Sequence, residues 1–133
     1  MRVLITGSRD WRCRELAEDV IARLISRYGP HLVIVHGGAA GVDAAFAEAA
    51  RDHDLEVEAH AADWEKLGRG AGPKRNAAMV AAGADLCIAV HQDIRSSKGT
   101  QGCVKLALAA QIRVVLIDND EGLTRWLTRE DLT

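Results

Sequence analysis

Residues His36-Gly37-Gly38-Ala39-Ala40-Gly41-Val42-Asp43 constrain the fold more than any other stretch, because an apolar run stops there and a helix begins. Leu32-Val33-Ile34-Val35 is short, rich in β-branched residues and free of charge, the pattern of a strand buried on both faces. Gly37, Gly38 and Gly41 permit a tight turn and close approach of backbone to a ligand. Residues 44–50 are strong helix formers, mostly small. Strand, glycine-rich turn and helix together point free N–H groups and a positive helix end at an anion, typically a phosphate. Simple chain reversal in an α/β fold uses the same glycines, and this stretch alone is compatible with both.

The same alternation runs through the chain. Arg2 to Thr6 reads as a first strand, and Leu16, Val20, Ile21, Leu24 and Ile25 form an apolar stripe on a helix from Arg14 to Tyr28, stopped by Gly29-Pro30. Leu55 to His60 alternates apolar and acidic, which predicts an edge strand with one exposed face. A third helix is expected from Pro73 to Ala82, a strand over Asp85 to Val90, a helix over Thr100 to Ala110, a fifth strand over Arg113 to Ile117 and a short final helix near Glu121 to Leu127. Five strands alternating with helices predict one α/β domain over 1–133, a parallel sheet with helices on both faces. Such a sheet binds ligands beyond the carboxyl ends of its strands. Every unusual stretch (7–11, 37–43, 61–76 and 91–100) follows a strand end, so the chain's special chemistry collects on one rim.

Composition narrows the partners. A formal net charge of −2 provides no global basic field, so nucleic acid is not an expected partner. No apolar run reaches membrane-spanning length, and Met1-Arg2 leads directly into a strand, so neither a membrane segment nor a signal peptide is expected. Three widely spaced cysteines without a CxxC pair predict reduced thiols and a cytoplasmic setting. His36, His60 and His91 end or follow strands without helical ligand spacing, and no metal or cofactor is expected.

The set Ile5-Thr6-Gly7-Ser8-Arg9, residues 36–43, Ala62-Asp63-Trp64, residues 71–79 and Gly99-Thr100 resembles the YspA-type branch of the SLOG superfamily. That superfamily also holds the LOG phosphoribohydrolases and the DNA-processing protein DprA. The resemblance implies a Rossmann-like three-layer sandwich with strand order 3-2-1-4-5, a pocket for a nucleotide or nucleotide-derived ligand, and a homodimer built through helices. Against the LOG pattern, Gly37, Gly38 and Gly41 match the glycine-rich turn, Arg75 and Met79 the helix facing the nucleotide, and Gly99-Thr100 the later phosphate loop. The acidic residues that follow Gly-Thr in LOG enzymes are replaced here by Gln101, Gly102 and Cys103. A glycosidic hydrolase needs a group that activates water or stabilises an oxocarbenium-like centre. Its carboxylate would have to be Asp43, Asp63 or Asp93, with Arg75 as a further catalytic candidate.

The ligand-binding candidates are therefore Gly7, Ser8, Arg9, Gly37, Gly38, Gly41, Asp43, Asp63, Trp64, Arg75, Asn76, Gly99 and Thr100. Gly99-Thr100 opens a helix and suits both a phosphate contact and a Thr N-cap. Arg75 and Lys74 stand at a positive helix end, a cost that an anion would relieve. Asn76 suits either a ligand or the loop backbone. Arg9 has Asp10 and Asp43 as alternative partners, and Asp43 also suits the dipole of its own helix. Trp11 and Trp64 each offer a face to a base or a cover for the sheet end. Three functions follow: binding of a nucleotide-derived ligand as sensor, carrier or sequestering protein; hydrolysis of an N-glycosidic or phosphate-ester bond; and DprA-like binding of single-stranded DNA. The last needs a positive groove, which net charge −2 argues against.

Overall fold

The computed structural model describes residues 1–132. Its strands are β1 (Arg2–Gly7), β2 (Val33–His36), β3 (Glu56–Ala59), β4 (Leu86–Val90), β5 (Val114–Ile117) and β6 (Thr124–Leu127). The helices are α1 (Arg14–Tyr28), α2 (Val42–Asp52), the single turn α3 (Trp64–Leu67), α4 (Ala71–Ala81) and α5 (Lys98–Ala109). All strands join one sheet of order β3-β2-β1-β4-β5-β6. The first five are parallel, in the expected order, and β3 lies at an edge.

Two apolar layers hold the sheet between its helices. On one face Leu16, Val20, Ile21 and Leu24 of α1 and Phe46 and Ala50 of α2 pack on Val3, Ile5, Ile34 and Ile88. On the other, Met79 and Val80 of α4 and Cys103, Val104 and Ala107 of α5 pack on Leu4, Val35, Cys87 and Leu116. Alternate residues of β1 thus serve opposite layers, which is why β1 beyond Arg2 and the whole of β4 carry no charge. Met79 belongs to this core at 2% exposure, so it does not face a ligand as the LOG comparison implied. Trp11 is likewise buried, among the α1 contacts, and offers no face to a base.

The C-terminal part corrects the reading from sequence. Residues 121–127 do not form a helix; the sheet has six strands, with β6 antiparallel to β5. Asn119 closes the hairpin: its Oδ1 accepts from Leu123 N at 2.9 Å and its Nδ2 donates to Leu123 O at 3.0 Å. Gly122 adopts φ 73° in the same turn. Asp-Asn-Asp-Glu-Gly between two apolar segments is a hairpin signal, and seven residues are too few for an independent helix. A second correction concerns the 61–72 connection, which contains α3 and a 3₁₀ turn (Gly68–Gly70), so that α4 begins at Ala71 rather than Pro73. Among the described residues, no helix is long and apolar enough to cross a membrane.

Phe46 is the largest fully buried side chain and seals α2 against the first layer. Phe46→Ala is expected to lower unfolding free energy by about 3–5 kcal/mol, read as a fall in the urea midpoint without loss of secondary structure in water.

Candidate functional site

A cleft of about 480 Å³ opens where the strand order reverses, beyond the carboxyl ends of β1 and β4. Gly7, Ser8, Arg9, Asp43, Arg75, Asn76, Gly99 and Thr100 line it, so residues from four separate segments meet there. The lining also takes in Thr6, Asp10, His91, Asp93 and Ser97. Gly37, Gly38 and Gly41 stand behind this wall, while Asp63 and Trp64 lie outside it.

The glycine-rich turn spends its own donors. Asp43, in the first turn of α2, folds back so that Oδ2 accepts from Gly37 N at 3.0 Å and Ala39 N at 3.3 Å. Gly38 N donates to His36 Nδ1 at 2.9 Å. Three consecutive N–H groups expected to face an anion are thus satisfied by protein. Glycine is needed here for close approach instead. Gly41, at φ 72°, lies against the Ser8 and Arg9 carbonyls, where a Cβ would overlap both. Ser8 O accepts from Val42 N at 2.9 Å, which locks the β1 loop to α2.

Burial governs the titration of this wall. Asp43 is 5% exposed, and desolvation pushes its carboxyl up to about 6 against the pull of two N–H bonds, Arg75 and Arg9. Its Oδ1 is buried without a hydrogen-bond partner among the described residues. Desolvation, then Arg51, His60 and Arg75, lowers His36 and favours the neutral ring. Because Nδ1 accepts, that ring carries its proton on Nε2, which is buried and has no partner among the described residues.

Arg75 couples the segments. Its Nη1 donates to Gly37 O and its Nε to Asn76 Oδ1 at 2.8 Å, while Asn76 Nδ2 donates to Gly99 O at 3.2 Å. Asn76 therefore satisfies loop backbone, the second of its two expected roles. Arg75 Nη2 keeps no protein partner among the described residues. On α5 the cap is Ser97, not Thr100: Ser97 Oγ accepts from Thr100 N at 3.2 Å. Ser97, three residues before Thr100, is the sequence signal for this cap. Lys98 N and Gly99 N belong to the orphan donors of a helix start, and the Thr100 hydroxyl, on a residue 3% exposed, has no protein partner among the described residues.

At the mouth, Arg9 pairs with neither Asp10 nor Asp43. Its guanidinium lies over the Trp64 ring, 5.1 Å from the centroid. Gly72 makes room for that ring, since a Cβ there would lie 3.1 Å from it. Asp63 is exposed and caps α3 by accepting from Lys66 N at 3.2 Å. Cys103, one of the residues in place of the LOG carboxylates, is buried in the core and its thiol is pushed up to about 11, chiefly by burial. No three His, Cys, Asp or Glu side chains among the described residues are arranged to hold a metal ion.

Fold and cleft define a Rossmann-like α/β protein with a polar pocket at the topological switch point. The family described as YAcAr, "YspA, cpYpsA-related SLOG family", matches residues 1–67. Gene 61 protein of Mycobacterium phage D29 is 42% identical over 119 residues, covering 86% of this chain and 94% of the phage protein. The chain belongs to the YspA, cpYpsA-related SLOG family. No solved structure matches it significantly.

The raised Asp43 carboxyl makes a signed prediction. Between about pH 4 and 6 the folded protein holds this proton more tightly than the unfolded chain, so the Asp43 contribution to stability falls as pH rises through that window and is constant above it. Asp43→Asn keeps an acceptor for the two N–H groups and removes the titration. Relative to this variant, the wild type is expected to lose on the order of 2 kcal/mol between pH 4 and 6.5, followed by urea unfolding.

Proposed function

We propose that the cleft binds a nucleotide or nucleotide-derived ligand through its phosphate, and that the protein acts as a sensor, carrier or sequestering protein. One observation carries this reading: the donors left without protein partners among the described residues, at Lys98 N, Gly99 N, the Thr100 hydroxyl and Arg75 Nη2, belong to the two elements that close one cleft. A helix start with orphan N–H groups favours an anion through both hydrogen bonding and its dipole. Arg75 adds a fixed positive charge, already oriented by Gly37 O and Asn76. Trp64, 47% exposed and backed by Arg9, offers an outer face on which a base can stack beyond the cleft mouth. Family membership supports a nucleotide-related ligand.

Adenosine monophosphate and ADP-ribose are the first probes. Saturable thermal stabilisation by one of them is expected, with affinity about 10- to 100-fold weaker in Arg75→Ala, the loss of one charge-assisted contact. Absence of saturable binding across nucleoside phosphates, or unchanged affinity in Arg75→Ala and Thr100→Val, overturns the assignment.

Hydrolysis is the second reading, and Asp43 favours it. A buried carboxyl at about 6 with an uncommitted Oδ1 has the properties of a general acid or base near neutral pH. Incubation with a nucleotide panel is then expected to release base or phosphate, and Asp43→Asn to abolish release while binding persists. Binding without release in the wild type excludes this second reading.

A further inference from the structure

On the α1 face of the sheet, β6 has no helix over it. A groove of about 360 Å³ separates α1 from β6, floored by Leu86, Ile88, Val115 and Ile117. Tyr28 and Trp126 form its sides and are 44% and 54% exposed, and Leu123 beside it is 68% exposed. These are three of the most exposed large apolar side chains, gathered at one border of the sheet. β6 is also an edge. In an antiparallel ladder each residue bonds the neighbouring strand with both its N–H and C=O or with neither, so alternate residues of β6 offer both groups outward. The two edges are guarded differently. β3 carries Glu56 and Glu58, which would confront one another across a symmetric pairing, whereas β6 exposes Thr124, Arg125 and Trp126.

We propose that β6 is a dimerisation edge at which a second copy of this chain pairs antiparallel about a twofold axis, joining two six-stranded sheets and covering the groove with the partner's tryptophan. Charge complementarity identifies the occupant. The turn at one end of β6 carries Asp118, Asp120 and Glu121, whereas Arg113 and Arg129 stand at the other end. Neither arginine has an acidic partner among the described residues; the Arg113 guanidinium lies over the Trp126 ring, 4.1 Å from its centroid. Antiparallel pairing sets the acidic turn of each copy opposite the basic end of the other, twice per dimer. Parallel pairing would oppose like charges. A self-complementary patch of this kind is what an isologous interface requires. The helices α4 and α5, and the cleft between them, take no part, so the two clefts lie at opposite ends of the joined sheet.

Sedimentation velocity of the full chain over a concentration series tests this. The expected result is a reversible dimer of twice the 14.4-kDa chain mass. Trp126→Glu, at an exposed position, is expected to fold normally by circular dichroism and to weaken the dimer at least about 30-fold, as loss of a central aromatic contact does. Two charge variants make the test specific to geometry. Asp120→Arg with Glu121→Arg, and separately Arg113→Glu with Arg129→Glu, should each be monomeric, because each opposes like charges with itself. Mixed one to one they should form a heterodimer. A wild type that stays monomeric at every concentration overturns the proposal. So does a dimer indifferent to Trp126→Glu, or variants whose mixture stays monomeric. Ligand binding in the cleft is unaffected by any of these results, since the interface shares no residue with it.

Discussion

The site depends on one carboxylate turned back onto its own loop. Asp43 follows the turn it organises, and its Oδ2 gathers the N–H groups of Gly37 and Ala39. That arrangement fixes the carbonyl of Gly37, which in turn receives Arg75. Arg75 holds Asn76, and Asn76 holds the carbonyl of Gly99 at the start of α5. A single chain of hydrogen bonds thus runs from β2 across α4 to α5 and sets the width of the cleft. Desolvation opposes the charge that heads this chain, and its second oxygen is left without a partner among the described residues. Polar groups in such a position cost stability.

This chain of contacts also relocates the positive end of the pocket. A glycine-rich turn between strand and helix ordinarily offers its N–H groups to phosphate. Here those of residues 37, 38 and 39 are consumed by Asp43 and His36. What α2 withholds, α5 supplies: Ser97 caps Thr100 N and leaves Lys98 N, Gly99 N and the Thr100 hydroxyl without protein partners among the described residues. Gly41 serves a different purpose, letting α2 press against the Ser8 and Arg9 carbonyls so that the Val42 N–H reaches Ser8 O and ties the β1 loop to the start of α2.

Much of the fold was legible because parallel strands buried on both faces leave an unmistakable pattern. The apolar runs at β1, β2, β4 and β5, the stripe along α1 and the alternation in β3 each correspond to one physical demand on the backbone. Glu121 to Leu127 failed for want of length: seven residues carry no reliable period, and the hairpin is closed by the Asn119 side chain, outside that stretch. In the cleft, Gly7, Arg75 and Thr100 were legible from their places after strands. The burial of Met79 and the pairing of Arg9 with Trp64 were not, because each is set by contacts between segments distant in sequence.

The extra strand changes the symmetry of the layers as well as the count. With five strands, α1 and α2 would cover one face and α4 and α5 the other, and the sheet would end at β5 with its faces matched. β6 widens the sheet by one strand without adding a helix on the α1 side, so Val115 is half-buried and Trp126 stands exposed beside it. On the other face Leu127 and Leu132 join the α5 layer and bury the new strand there. The hairpin is therefore finished on one face and open on the other. Covering the open side with a helix would hide the tryptophan; leaving it open keeps the tryptophan exposed beside the unpaired edge of β6.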